Sequence, residues 1–196
     1  MGHREDLLEG AKRCLLDKGY ARTTARDIVA ASGTNLASIG YHYGSKEALL
    51  NQAFLAVTEE WGDAIGESSG VEPSAYADAF ERFEAVWGQV IGTYETSRSL
   101  WKLQLEVISR IDEDPELRKA IAGPQQEGRK GLAENFQRLD PETDPEKART
   151  AGLVYQALLA GVMMQWLVDP ETAPSARDLT DGLRVILENG SPREDG

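Results

Sequence analysis

Between Thr24 and Lys46 the chain gathers hydroxyls, an imidazole, two cations and a run of small side chains: Thr24, Arg26, Leu36, Ala37, Ser38, Tyr41, His42 and Lys46. This is not an arrangement for making or breaking bonds. No nucleophile is paired with a base, no glycine loop is built to cradle a phosphate, and metal-ligating side chains do not cluster, so no catalytic residue, metal or cofactor is expected. The same residues suit contact with a polyanion. Tyr41, His42 and Lys46 offer donors and a cation of the kind that grips phosphates, and such grips fix register. Leu36, Ala37 and Ser38 form a small, weakly polar surface that can enter a major groove, where hydroxyls reach base edges and methyl groups meet thymine. Arg26 divides evenly between a solvated residue and a DNA contact, and Lys46 reads more readily as a phosphate contact than as a solvated lysine. His42 has no second histidine or cysteine nearby with which to share a metal.

The elements that must carry these residues are helical. Leu7, Leu8, Ala11, Cys14 and Leu15 recur at helical spacing over 4–18, and Gly19 after Lys18 is a stop signal. Thr24 with Asp27 three residues on forms a capping-box pattern for a second helix, which Gly33 ends. Asn35 caps a short third helix through Tyr43, and Ser45 caps a fourth carrying Leu49, Ala53, Phe54, Val57, Trp61 and Ile65. Segment 66–73 reads as a turn-rich boundary. Five further helices follow: a stripe from Tyr76 through Phe80, Phe83, Trp87, Val90 and Tyr94; one from Leu100 to Ile111; one over 115–139, with a kink or break at Gly123-Pro124; one over 145–168; and one over 175–188. The fold class is therefore all-α. Cys14 and Tyr43 are expected in the core.

Helix, tight turn at Gly33, short helix, loop and long helix make a helix-turn-helix. The segment resembles the TetR family signature, with Gly33-Thr34-Asn35, Gly40-Tyr41-His42-Tyr43 and Ser45-Lys46-Glu47-Ala48-Leu49 in the family's places over about residues 5–55. The resemblance implies a DNA-binding domain over 1–46, an effector-binding and dimerisation domain over 47–190 and a tail over 191–196. It also implies that His42 contacts a phosphate and that Tyr43 packs against the first and fourth helices. Leu158 to Leu167 looks like the eighth helix of many such proteins. Two departures stand out. Gly40 replaces a residue that is usually aromatic, and Leu36 replaces one that is often polar or basic, which favours a thymine-methyl contact there.

Charge is distributed to match. The chain carries a net −12, yet residues 1–50 hold seven basic against six acidic side chains, while 51–196 hold fourteen against twenty-seven. An acidic body confines contact with DNA to the near-neutral first segment. The lone Cys14 excludes an internal disulfide and points to a reducing compartment. With no signal segment and no long uninterrupted apolar run, the chain reads as soluble and cytoplasmic.

Beyond residue 46 two further sites are expected. Trp87, Tyr94, Trp101 and Tyr155 are candidates for an effector pocket, although core packing is the plainer reading for any one of them. Gly152, Ala157, Gly161, Gln165, Leu179, Leu183 and Ile186, on the last two helices, are candidates for a two-fold interface. The expected partners are a double-stranded DNA operator, an unidentified small-molecule effector and a second copy, with no membrane. The leading reading is a ligand-responsive repressor on a pseudo-palindrome. An activator or effector-independent regulator, and a helical ligand-binding protein or enzyme, are the alternatives.

Overall fold

The structure, a computed structural model, describes residues 2–68, 76, 78–112 and 114–189. Among these there are nine α-helices and no strand: α1 (His3–Lys18), α2 (Ala25–Ser32), α3 (Leu36–Tyr43), α4 (Lys46–Ser68), α5 (Ala79–Thr96), α6 (Arg98–Arg110), α7 (Pro115–Gln137), α8 (Pro145–Val168) and α9 (Ala176–Asn189). They group into two compact units, Met1–Ala64 with Ser97–Gly128, and Ile65–Thr96 with Arg129–Gly196.

The first unit is built on the apolar stripe of α1. Leu7, Ala11, Cys14 and Leu15 are buried with Ile28 of α2, Ile39 and Tyr43 of α3, and Leu49, Leu50, Ala53 and Phe54 of α4. Leu103 and Val107 of α6 and Leu117 of α7 complete the same core. Caps terminate these helices as their residue types dictate: the Thr24 hydroxyl accepts from the Asp27 amide, the Asn35 side chain from the Ser38 amide, and the Ser45 hydroxyl from the Ala48 amide. The second unit packs α5 against α9. Phe83, Val86, Trp87, Val90 and Tyr94 of α5 are buried in it, as are Tyr155, Val162 and Met163 of α8.

Three expectations change. Helix α4 runs on to Ser68, so the loop anticipated from Gly66 is helical over its first residues, and 69–73 lie outside the described residues. Helix α5 starts at Ala79 rather than near Tyr76, because Asp78 Oδ1 accepts from the amides of Phe80 and Glu81 at 2.7 and 2.9 Å and caps it there. Helix α7 continues through Pro124. Pro124 and its neighbours over 122–128 are exposed, and its missing N–H leaves the carbonyl of half-buried Ala120 without a helical donor. Helix α8, found over the expected residues, is long and apolar enough by length and composition to cross a membrane. The tail over 191–196 lies outside the described residues.

Close approach of α1 and α2 depends on Gly10. A Cβ placed there would lie 2.8 Å from Ser32 Cβ and 3.0 Å from the Ile28 carbonyl oxygen. Gly10→Ala gains about 1 kcal/mol of helix propensity but must separate the two helices. Overpacking of this kind costs about 1–3 kcal/mol. The variant is therefore expected to unfold at lower urea concentration than the wild type; an equal or higher midpoint would contradict this packing.

Candidate nucleic-acid interface

Helix α3 is short, eight residues presented by a tight turn. Gly33 ends α2 with φ 68° and ψ 21°, a left-handed conformation that side chains resist, and its amide donates to the Val29 carbonyl. Asn35 then caps α3. The inner side of α3 is fixed by Ile39 and Tyr43, both buried, and the Tyr43 hydroxyl donates to the Arg4 carbonyl at 2.6 Å. The Arg4 guanidinium lies 5.8 Å from the centre of the Tyr43 ring. Both expected core residues, Cys14 and Tyr43, are thus in the core.

The opposite side of α3 is open. Leu36 is 53% and Tyr41 86% exposed. Ala37 and Gly40 are exposed beside them, and nothing lies within 4 Å of where a Gly40 Cβ would stand. These four recur at i, i+1, i+4 and i+5 and form one solvent-facing stripe. Ser38 does not belong to it: at 8% exposure it is buried on the inner side, and the expected base contact from its hydroxyl is withdrawn. At 3.6 residues per turn Ser38 lies about 200° around the helix from Leu36, so the two cannot share a face.

Flanking residues fall where the stripe needs support. Thr24 and Arg26 are exposed at the start of α2, and half-buried His42 meets the Tyr41 ring edge-on at 4.8 Å. Lys46 Nζ is 3.4 Å from the Thr23 carbonyl oxygen and 3.3 Å from Glu47 Oε1, so it has partners within the protein. Arg22, exposed two residues before Thr24, was not singled out from the sequence. Its Nε donates to the Lys18 carbonyl at 2.7 Å, and the visible signal was a cation in the segment leading into α2.

Beneath this surface Lys18 and Asp27 tie α1 to α2, Nζ to Oδ1 at 2.5 Å. Asp27 Oδ2 also accepts from the Thr24 amide at 2.9 Å and the Thr24 hydroxyl at 2.7 Å. The Lys18 hydrogen bond, then those from Thr24, holds the Asp27 carboxyl well below the usual carboxylate range. A carboxyl depressed in the folded state contributes stability that is fully present above its unfolded value, about pH 4, and is lost as pH falls toward the folded value. The melting-temperature advantage of wild type over Asp27→Asn is therefore expected to be constant near neutrality and to shrink below about pH 4. An advantage undiminished in acid would show that the carboxylate is not what holds this corner.

The second unit holds the other residues the sequence singled out, with two exceptions to the expected groupings. Trp87, Tyr94 and Tyr155 are buried there, with Phe83 6.0 Å from Trp87 and 6.2 Å from Tyr155 by ring centres. Gln137 Nε2 donates to the Tyr155 hydroxyl, and burial raises the Tyr94 phenol above its ordinary value. Trp101 lies in the first unit, edge-on to Trp61 at 4.6 Å. Ala157, Gly161 and Gln165 are exposed on α8 and Ile186 is 70% exposed on α9, with Leu179 and Leu183 half-buried. Gly152 is the second exception. A Cβ there would overlap the Arg129 backbone, so this glycine serves packing of α8 on α7 within the chain.

Comparison with known proteins agrees with this architecture. Residues 7–53 match the profile of bacterial regulatory proteins of the tetR family, and 78–189 match that of the tetracyclin repressor-like C-terminal domain. The HTH-type transcriptional repressor AcnR of Corynebacterium efficiens is 31% identical over 116 residues, 59% of this chain and 54% of that protein. The AcnR of Corynebacterium glutamicum is 40% identical over 73 residues, 35% of this chain and 37% of that one. The chain thus spans about half, or less, of the length of these curated relatives. Among solved structures, a transcriptional regulator of Pseudomonas aeruginosa PAO1 superposes with a TM-score of 0.69 at 22% identity, covering 95% of this chain and 90% of that one. SCO7518 of Streptomyces coelicolor A3(2) gives 0.65 at 27% identity, covering 97% and 99%. These relatives are regulators of transcription, not enzymes. With both halves of its described helices matched, the chain belongs to the tetR family of bacterial regulatory proteins.

Proposed function

We propose that this protein is a cytoplasmic repressor of transcription that binds a pseudo-palindromic DNA operator as a homodimer and is released by a small-molecule effector. The observation that carries the DNA-binding reading is the open stripe Leu36, Ala37, Gly40 and Tyr41 on a helix whose other side is locked by Ile39 and Tyr43. An exposed apolar surface on a capped, anchored helix is suited to the floor of a major groove. Residues 1–46 do the reading, and 47–190 carry the effector and dimer functions. Leu36 and Ala37 contact bases, Thr24, Arg26, Tyr41 and His42 hold the backbone, and Lys46 exchanges its Thr23 and Glu47 partners for a phosphate. The repressor relatives support the sign of the response.

The effector reading rests on Trp87. Its Nε1 is buried without an acceptor among the described residues, beside Phe83, and a buried donor left unpaired costs about 1–3 kcal/mol. A ligand bringing an acceptor to that indole recovers this. Tyr94 and Tyr155 share the unit and are the further candidates; Trp101 belongs to the first unit and drops out of this grouping.

The test is selection of bound duplex from a random pool. A two-fold symmetric consensus is expected. With that duplex, Lys46→Ala should weaken binding to every sequence alike and reduce the salt slope by about one unit, whereas substitutions at Leu36 should change the preferred base. Altered base preference with an unchanged slope in Lys46→Ala would reverse the assigned roles.

Homodimerisation is supported by the apolar side of α8 that the chain itself does not cover. Val154, Ala157, Gly161, Met164 and Val168 are all exposed and recur at three and four, a continuous seam, with Val185, Ile186 and Leu187 exposed on α9. Because nothing lies within 4 Å of a Cβ at position 161, Gly161→Glu leaves the single chain undisturbed. It is expected to sediment as a monomer at micromolar concentration and to lose affinity for the selected duplex. A variant that remains dimeric would place the interface elsewhere.

A further inference from the structure

We infer that Glu106, on α6, is a positioning residue for DNA binding: its carboxylate clasps the corner between α1 and α2 and so sets the orientation of the reading helix. The inference rests on the DNA-binding reading above. Helix α1 ends at Gly19, whose amide donates to the Leu15 carbonyl at 2.9 Å, and the next two amides have no helical acceptor. Glu106 supplies both. Oε2 accepts from the Tyr20 amide at 2.9 Å and Oε1 from the Ala21 amide at 2.7 Å. A carboxylate spanning two successive amides makes two charge-assisted hydrogen bonds, the stronger kind, and accepts both only in one orientation.

The surroundings are built around this contact. Gly19 has φ 84°, which calls for glycine, and a Cβ there would stand 2.5 Å from Glu106 Oε2 and push the carboxylate aside. One helical turn beyond Glu106, the Arg110 guanidinium covers the Tyr20 ring at 5.4 Å. The Tyr20 hydroxyl donates to Asn51 Oδ1 of α4 at 2.6 Å, and the Thr23 hydroxyl to the Gly19 carbonyl at 2.7 Å. Leu103 and Val107, on either side of Glu106 in sequence, are buried in the core of the first unit. Both hydrogen bonds hold the carboxylate on the corner, and the buried Leu103 and Val107 anchor α6 in the same core, so the contact joins the corner to α6.

From this corner the path to the DNA surface is short and stiff. Three residues after Ala21 comes the Thr24 cap, its Asp27 partner held by Lys18, then two helical turns of α2, the left-handed Gly33 and α3. A displacement of α6 that the Glu106 side chain does not follow stretches both hydrogen bonds beyond bonding range together. The corner then samples other orientations, and the apparent affinity for DNA falls in proportion to the fraction still competent. Glu106 thus makes operator affinity depend on where α6 sits, without touching DNA.

The experiment uses the full chain and a duplex that the wild type selects from a random pool. Amide exchange at Tyr20 and Ala21 is expected to be slow in the wild type and slower when the duplex is bound, since coupling is reciprocal. In Glu106→Gln one acceptor becomes a donor. Exchange at both amides should rise, and affinity for the duplex should fall by about tenfold, with the salt slope unchanged because no phosphate contact is lost. Gly19→Ala pushes on the same contact from the other side and carries the test should Glu106→Gln not fold. The double variant should bind no more weakly than the worse single one. Faster exchange in Glu106→Gln with affinity within twofold of wild type would make the contact a local strut and overturn the inference. So would amides at Tyr20 and Ala21 unprotected in the wild type, or affinity losses that simply track melting temperature. If the wild type selects no duplex at all, the regulator reading falls and the positioning role with it; if duplex is bound equally by every variant, only the positioning role falls.

Discussion

A helix of eight residues has no independent existence in water, because nucleation costs more than two turns of hydrogen bonds return. Helix α3 persists because Ile39 and Tyr43 are buried on one side of it, and this burial is the constraint to which the rest of the first unit answers. Helices α1 and α4 supply the apolar surface those two side chains enter. Helix α2 and its left-handed exit at Gly33 deliver the chain to Asn35 at the angle the burial requires. Locking one face so firmly frees the other. Leu36 and Tyr41 can remain in solvent without weakening the fold, since neither contributes to the core.

Electrostatics complements this division. The segment that carries the reading helix is close to neutral, and the remainder is strongly acidic. Such a molecule gains little from indiscriminate attraction to a polyanion and is repelled wherever its body approaches one. Binding then depends on shape and on a small number of well-placed contacts. That places a premium on orientation, which the Lys18–Asp27 pair and the Gly19–Tyr20–Ala21 corner fix at a distance from the exposed stripe.

Much of this was legible in the residues. Thr24, Asn35 and Ser45 cap the helices their types and positions indicated, and Gly33 takes the left-handed conformation that the turn demanded. Helix α8 runs over the residues its composition suggested. Two of the failures come from position around a helix, which spacing along the chain conceals, and a third from grouping by residue type. Ser38 was grouped with Leu36 although 100° per residue turns it inward. Gly152 and Gly161 were both assigned to the two-fold interface, yet nine residues separate them by about 180°, one against α7 and one in solvent. Trp101 was grouped by residue type with aromatics of the other unit. Glu106 was invisible for a different reason: a carboxylate on an amphipathic helix reads as solvated, and its partners are backbone amides 85 and 86 residues away, which carry no side-chain signature.

The burial of Cys14 has a practical consequence. The chain's only thiol is 6% exposed in the core of the first unit, and desolvation raises its pKa, so little reactive thiolate is present while the unit is closed. Alkylation then proceeds through opening, and its rate reports the free energy of that opening in the manner of amide exchange, at a single atom and without isotopes. The same inertness leaves the surface chemically blank. A cysteine introduced on the exposed stripe of α3 or on the apolar seam of α8 would take a fluorophore or spin label alone, in an otherwise unaltered chain, and distances between labelled copies could be read directly.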